Sequence, residues 1–283
     1  MRASTDMSSS SPGTVGSLLR QWRDLRGKTQ LDLSFDAGVS QRHISFVESG
    51  RSTPSRQMLI DLAQALDVPL RERNLLLVAA GYAPLYAEEA LDGPAMTIVQ
   101  RALQRMLRQH EPFPAIVMDR YWNVLLTNDA APLFFNCFID LAKRQGRRNL
   151  LHLVFDPAGM RPHMKNWTET ARGLLGRVYR EALGRVIDAK TKTLLDELSQ
   201  YPGVEPVWHA AVPDRSLPLI PLVFTKGDVT LSYFSIVTTV GTPQTVTAEE
   251  LRIECLFPAD EATERDHSKF VHANAGQGSP RQL

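Results

Sequence analysis

Apolar residues recur at helical spacing in the first third of the chain and alternate towards its end. From Ser17 to Arg26 the positions Leu18, Leu19, Trp22 and Leu25 mark a helix that Gly27 closes. A short helix opening at Gln30 takes Leu31, Leu33, Phe35 and Ala37 as its apolar face, and Gly38 supplies the positive φ of a sharp turn. Val39 plugs the junction. Ser40 caps a second short helix, with Ile44 and Val47 pointing inward and Gln41, Arg42, His43 and Ser45 outward. Ser55 caps a helix buried through Met58, Leu59, Leu62, Ala63 and Leu66. A fifth helix runs from Pro69 to Ala80, with Leu75, Leu76 and Val78 inward, and ends at Gly81.

Asp92-Gly93-Pro94 punctuates the chain again, and the pattern switches after Pro112 and Pro114. Ala95 to His110 is amphipathic. Ala115 to Met118 and Tyr121 to Thr127 read as strands, with Asp119-Arg120 in a tight connection, and Asn128-Asp129 turns into an aromatic helix. Trp167, Ala171, Leu174, Leu175, Val178, Ala182 and Val186 make a long helix, and Leu194, Leu195 and Leu198 a later one. Leu219 to Thr225 and Val229 to Val240 form a hairpin around Lys226-Gly227-Asp228. Leu251 to Phe257 sets Ile253, Cys255 and Phe257 against Arg252 and Glu254, as a further strand would. Past Glu261 the polar, Gly-rich sequence predicts a frayed end.

Two short helices joined by a glycine turn, with a polar first turn on the second, are the layout of a helix-turn-helix, whose second helix reads bases in the major groove. Residues 17–80 resemble the XRE family of phage-repressor-type DNA-binding domains. The resemblance rests on Gly27-x-Thr29-Gln30, Ala37-Gly-Val-Ser40 and Glu48-x-Gly50-x-x-x-Pro54-Ser55 in register. It implies that Arg23 pairs with Glu48, that Gln30 touches phosphate and that Gln41 and Arg42 read bases. Arg42 suits a guanine and Gln41 an adenine. The candidate DNA-binding set is Gln30, Ser40, Gln41, Arg42, His43, Ser45 and Arg51.

The second domain resembles the C-terminal region of MmyB-like regulators. The matching pieces are Asp119-Arg-Tyr-Trp-Asn-Val through Asn128, Asn149-Leu-Leu-His-Leu-Val-Phe-Asp, Trp167 with its helix, Trp208 and Leu231-Ser-Tyr-Phe. The chain departs from that pattern at Ile220-Pro221 and Val223, where the family often has His-Pro and a glycine. The resemblance implies a PAS-like ligand-binding fold, with which fatty-acyl ligands are associated. The expected fold class is α+β: an N-terminal five-helix lambda-repressor-like helix-turn-helix domain (17–84) and a C-terminal PAS-like antiparallel sheet with flanking helices (92–262). A disordered leader (1–16) and a flexible tail (263–283) complete it.

At 283 residues the chain is long enough for two domains. Its net charge of +1 averages over both, and DNA affinity needs only a local basic face. Arg20, Arg23, Arg26, Lys28, Arg42, Arg51 and Arg56 lie in or beside the helix-turn-helix, diluted by Asp24, Asp32, Asp36 and Glu48. Modest affinity per domain and a homodimer are therefore expected. Cys137 and Cys255 stand far apart, which argues against a disulfide framework or a zinc site and fits a reduced cytosol. No run is long and apolar enough for a membrane span, and the Ser-rich N-terminus lacks a secretion signal, so the expected location is cytoplasmic and nucleoid-associated.

Reactive chemistry finds no support. Gly27-Lys28-Thr29 imitates the end of a phosphate-binding loop, but Trp22 stands where the first glycine is needed. The seven histidines are dispersed, and Glu88-Glu89 and Glu249-Glu250 read as solvated pairs. No catalytic residue, metal or cofactor is expected beyond a bound fatty acid or acyl ligand. For that ligand the candidates are Trp122, Trp167, Tyr179, Trp208 and Phe234 as apolar walls, although aromatics fill any core of this size. Asn123, Asn128, Arg172 and His209 are candidate polar anchors, with Arg172 best suited to a carboxylate. The expectation is a ligand-responsive DNA-binding regulator, not an enzyme, whose partners are a double-stranded operator, a small apolar molecule and a second copy of itself. The alternative is a DNA-binding adaptor whose second domain docks a protein and takes no ligand.

Overall fold

The computed structural model describes residues 13–274, apart from 145, 147, 184–187, 206–218 and 220. The chain divides into two compact units. One closes at Glu88 and the other opens at Glu89, with a short return to the first around 244–246.

The N-terminal unit holds five helices: α1 (Val15–Leu25), α2 (Gln30–Ala37), α3 (Gln41–Glu48), α4 (Arg56–Ala65) and α5 (Leu70–Ala79). Thr14, Thr29, Ser40 and Ser55 cap the first four, each side-chain oxygen accepting from a backbone N–H three residues on. Thr29 and Asp32 complete a reciprocal capping box. Gly38 ends α2 in the left-handed region at φ 64°. Leu19, Trp22, Leu33, Ile44, Val47 and Leu59 are among the residues of one common core. Gly16 lets α1 close on α3: a Cβ there would lie 2.3 Å from the Val47 carbonyl oxygen. Two expectations fail here. Leu31 and Phe35 are exposed, whereas Leu33 is buried and Ala37 packs at the edge of the core. Alternate residues share a face in a strand, not in a helix, and the 3.6 period groups Gln30, Leu33 and Ala37 instead. In α5, Leu76 and Leu77 are buried while Leu75 and Val78 face solvent, for the same reason.

The C-terminal unit is built on a five-stranded antiparallel sheet. Its elements are α6 (Thr97–Gln109), β1 (Ala115–Met118), β2 (Val124–Thr127), α7 (Ala130–Asn136), α8 (Leu150–Phe155), α9 (Trp167–Leu183), α10 (Ala189–Ser199), β3 (Leu222–Lys226), β4 (Val229–Thr238), α11 (Val246–Glu250), β5 (Arg252–Pro258) and α12 (Glu261–Asn274). The strand order is β2-β1-β5-β4-β3. Ile116 faces Glu254, and Tyr233 faces Leu222, so register assigns every side chain to one of two faces. Ile116, Met118, Leu231, Tyr233, Phe224 and Leu256 point into the larger core, which α7 to α10 and α12 help to build. Ala115, Val117 and Ile253 point the other way, into a smaller core with Leu103 and Leu107 of α6.

The second strand starts three residues later than expected. Asp119 Oδ1 accepts from the backbone N–H of Tyr121 and of Asn123, and Trp122 is bent to φ 66°. This side-chain-anchored turn competes with strand pairing until Val124. The expected frayed end is a helix through Asn274. Asp260 accepts from the Thr263 N–H, and His267 and Phe270 bury one side of α12. The polar residues predicted to fray it occupy the other side.

Candidate nucleic-acid interface and ligand cavity

The helix-turn-helix is locked from within by Glu48, the last residue of α3, whose side chain is 1% exposed. Arg23 Nε donates to Oε1 at 2.7 Å and Nη2 to Oε2 at 3.1 Å. Gln30 Nε2 donates to Oε2 at 2.9 Å, and Arg20 Nε reaches it at 3.4 Å. Helices α1, α2 and α3 are thus tied to one carboxylate. Burial pushes the Glu48 carboxyl up, but the hydrogen bonds from Arg23, Gln30 and Arg20 outweigh it and hold the group below its ordinary range. Gln30, expected on phosphate, therefore spends its amide N–H on Glu48.

The predicted reading face lies on the first turns of α3. Gln41 and Arg42 are exposed, and His43 and Ser45 are half-buried. Ser40 is exposed and its hydroxyl oxygen accepts from the His43 N–H, so this oxygen serves the helix cap. Phe46 organises the cationic groups: the guanidinium carbons of Arg42 and Arg51 sit 5.3 and 5.1 Å from its ring centre. Arg51 Nε also donates to Ser49 Oγ. The basic residues near the motif divide in two. Arg23, Arg20 and Lys28 pair with Glu48, Glu48 and Asp36, and Arg26 donates to the Leu66 and Asp67 carbonyls. Among the described residues Arg42, Arg51 and Arg56 form no ion pair, which leaves them to meet phosphate or base. Phe46 went unnoticed in the sequence because one aromatic on a short helix reads as core.

The second unit contains an apolar cavity between the inner face of the sheet and its helices. About 510 Å³ of atom-free space lies within it and in the open mouth that joins it to solvent. The sheet contributes Ile116, Leu222, Phe224, Glu254 and Leu256. Phe135, Leu150, Val154 and Leu174 close it from α7, α8 and α9, Met160 and Met164 from the link between α8 and α9, and Trp122 from the bent turn before β2.

Of the residues expected to hold ligand, Trp122 lines this cavity. The others do not. Asn123 Nδ2 donates to Asp119, and its Oδ1 accepts from Asn149. Asn128 Oδ1 accepts from the N–H groups of Ala115 and Ala131, while Nδ2 donates to the Phe113 carbonyl. Both amides thus fasten backbone. Trp167 donates Nε1 to the Val154 carbonyl, and Arg161 stacks on its ring at 3.6 Å. Tyr179 packs at the edge of the core, and Arg172 is exposed on α9. Phe234 stacks on Phe257 on the opposite face of the sheet. Trp208 and His209 lie outside the described residues.

The polar group in the cavity is one the sequence hid. Glu254 is on β5, and its alternation with Ile253 and Cys255 marked it as solvent-facing. Its side chain is 6% exposed. Its face of the strand is the inner one, because Ile253 and Cys255 are met from the other side by α6 and its core. Leu256, on the same face as Glu254, is the signal that could have revealed this. Arg177, on the same side of α9 as Leu174, lies over the Trp122 ring at 4.6 Å and points Nη1 towards Glu254 Oε2 at 3.7 Å. Burial pushes the Glu254 carboxyl up, opposed by Arg177 and by a hydrogen bond from Ser235. Among the described residues there is no cluster of His, Cys, Asp or Glu able to hold a metal. No described helix is long and apolar enough to cross a membrane.

Comparison with known proteins divides the chain as its structure does. Residues 19–73 match a helix-turn-helix family, and residues 99–268 match the MmyB-like transcription regulator ligand binding domain. Over 67 residues the chain is 37% identical to the transcriptional regulator ClgR of Mycobacterium tuberculosis, in both strain CDC 1551 / Oshkosh and strain H37Rv. That match takes in 24% of this chain and 57% of ClgR, so the chain spans little more than half the length of these curated relatives. The solved structure of an RNA-binding light-oxygen-voltage receptor aligns over 96% of this chain and 69% of its own at 11% identity and a TM-score of 0.29, a likeness too low to argue from.

Proposed function

The chain belongs to the MmyB-like transcription regulators, a DNA-binding helix-turn-helix followed by a ligand-binding domain, and from that premise we propose that it binds its operator as a homodimer and responds to a small, fatty-acid-like apolar molecule. The observation that carries the reading is the pairing, in one chain, of an exposed Gln41-Arg42 first turn with a cavity whose walls are almost wholly apolar. The second unit is read as PAS-like on its strand order and helical cover. Arg42 forks onto a guanine, Gln41 pairs with an adenine, and Arg51 contacts phosphate. Gln30 acts chiefly through Glu48, orienting α3 from behind.

Ligand acts by shifting a population. It must bind one arrangement of the dimer better than the other, because only differential affinity moves the equilibrium. The two recognition helices must match half-sites about one helical turn apart. The alternative is a protein-docking adaptor without a ligand, and the apolar cavity of the second unit favours the ligand reading over it.

The test is selection of random double-stranded DNA by the purified full-length protein, followed by sequencing. A two-fold symmetric motif is expected. Arg42→Ala should lose about 1–3 kcal/mol of discrimination at one position of each half-site. Recovery of no sequence preference would overturn the operator reading. Mass spectrometry of the purified chain, native and then denatured, should release a small apolar species in near-stoichiometric amount.

A further inference from the structure

Among the described residues the cavity of the second unit has one carboxyl in an otherwise apolar lining, and the chemistry of that carboxyl bears on what the cavity accepts. Glu254 Oε2 accepts no hydrogen bond among the described residues. Among the described residues Arg177 is the cation paired with it, but at 3.7 Å it is beyond hydrogen-bonding distance. Arg177 is also already engaged: its Nε donates to Glu181 Oε1 at 2.8 Å, and its guanidinium lies over Trp122. A buried polar atom left without a partner is costly, and a ligand group of the right kind can recover that cost.

The charges decide which kind. Arg177 and Glu181 cancel. Glu254 therefore leaves the cluster either neutral, when protonated, or negative, when ionised. In neither state do the described residues of the cavity offer the surplus positive charge that a carboxylate head would need. A hydroxyl suits both states, donating to the ionised carboxylate or accepting from the protonated acid.

We propose that the cavity takes an apolar molecule whose polar end is a hydroxyl, seated on Glu254 Oε2 beside Trp122 and Arg177, in preference to a fatty carboxylate of the same length. This rests on the ligand-responsive reading above and narrows it: the body of the ligand is fatty-acid-like, but its head is not an acid. Trp122 is held in a left-handed turn by Asp119, which presents the indole to the cavity and carries Arg177 above it. The anchor is thus supplied by a strand, a helix and a turn that the fold brings together.

The experiment is calorimetric titration of the full-length protein, first extracted to remove any carried ligand, with 1-decanol, decylamine and decanoate at neutral pH. For the wild type, 1-decanol should bind at least about tenfold more tightly than decanoate, the equivalent of one hydrogen bond to a charged or buried group. Decylamine should fall between them, because its cation suits the ionised carboxylate but sits close to Arg177. In Glu254→Met the advantage of 1-decanol should vanish. Decanoate binding as tightly as 1-decanol, or more tightly, to the wild type would overturn the hydroxyl proposal and leave the ligand reading standing. Failure of all three to bind would overturn both, and would make Glu254 a hydrated core residue. The wild-type ranking decides by itself, so a variant that failed to fold would not protect the proposal.

Discussion

Two buried glutamates carry opposite energetics in this protein. Glu48 is fully satisfied, with Arg23, Gln30 and Arg20 around it. Removing one side of such a pair leaves the other charge buried, so Glu48→Ala should destabilise the N-terminal unit by roughly 3–5 kcal/mol in denaturant titration. Because the folded-state pKa of Glu48 lies below its ordinary 4.5, its contribution is complete above that value and is lost as the pH falls through the folded value. The acid limb of a stability–pH profile should therefore be shallower in Glu48→Gln than in the wild type. Glu254 has the reverse sign. Its pKa is raised, so the ligand-free fold loses stability as the pH rises through the ordinary 4.5 of the unfolded chain. Glu254→Gln should accordingly melt above the wild type at neutral pH, with the gap closing below about pH 4. An equal gap at both pH values would show that Glu254 is charged and compensated in the fold. A residue that costs stability without a ligand and gains a partner with one is what a sensing site requires.

The elements divide by how local their determinants are. Helices α1, α3 and α4 follow from caps and apolar spacing that lie within a dozen residues, and these are readable before any folding is considered. Gly16 is different. Nothing adjacent requires a glycine in the first turn of α1, yet the Val47 carbonyl across the helix pair excludes a side chain. Gly16→Ala should force α1 away from α3 and cost about 1–3 kcal/mol despite its better helix propensity. Urea titration followed by circular dichroism would measure it, and a stabilised variant would contradict the close approach. Strand β2 starts late because Asp119 captures two backbone N–H groups, a competition that alternation of apolar residues does not report. Strand β5 shows the deeper limit. Alternation fixes which residues share a face but does not say which face meets solvent, and at β5 both faces are packed.

At the scale of the whole molecule, the two units answer different probes. On the proposed reading operator binding depends on Arg42 and Arg51, which stack on Phe46 and form no ion pair among the described residues. Arg51→Ala should weaken DNA binding evenly across sequences and lower the slope of affinity against salt by about one ion per contact, as a phosphate contact would. A change confined to one base position would instead make Arg51 a reader. Most of the basic residues near the motif are consumed inside it, which favours the proposed binding by two copies together. Sedimentation of the 31.6 kDa chain should show a dimer on an operator fragment.

The sequence alone determined the helix-turn-helix, the switch from helical to sheet architecture after Pro114, and the polar first turn at Gln41 and Arg42. These are set by caps, glycine turns and periodicities that act over one or two turns of chain. Only the tertiary structure decided where the polar chemistry of the second unit lies. Of its nine expected ligand residues, Trp122 lines the cavity, while Asn123 and Asn128 are spent on backbone and Arg172 faces out. Glu254 and Arg177, which frame the polar end of the cavity, are 77 positions apart in sequence. A carboxyl on an alternating strand looks solvated until the strand's neighbours are known. What makes Glu254 a site is the burial of that face by helices from elsewhere in the chain, a long-range fact that no local pattern contains.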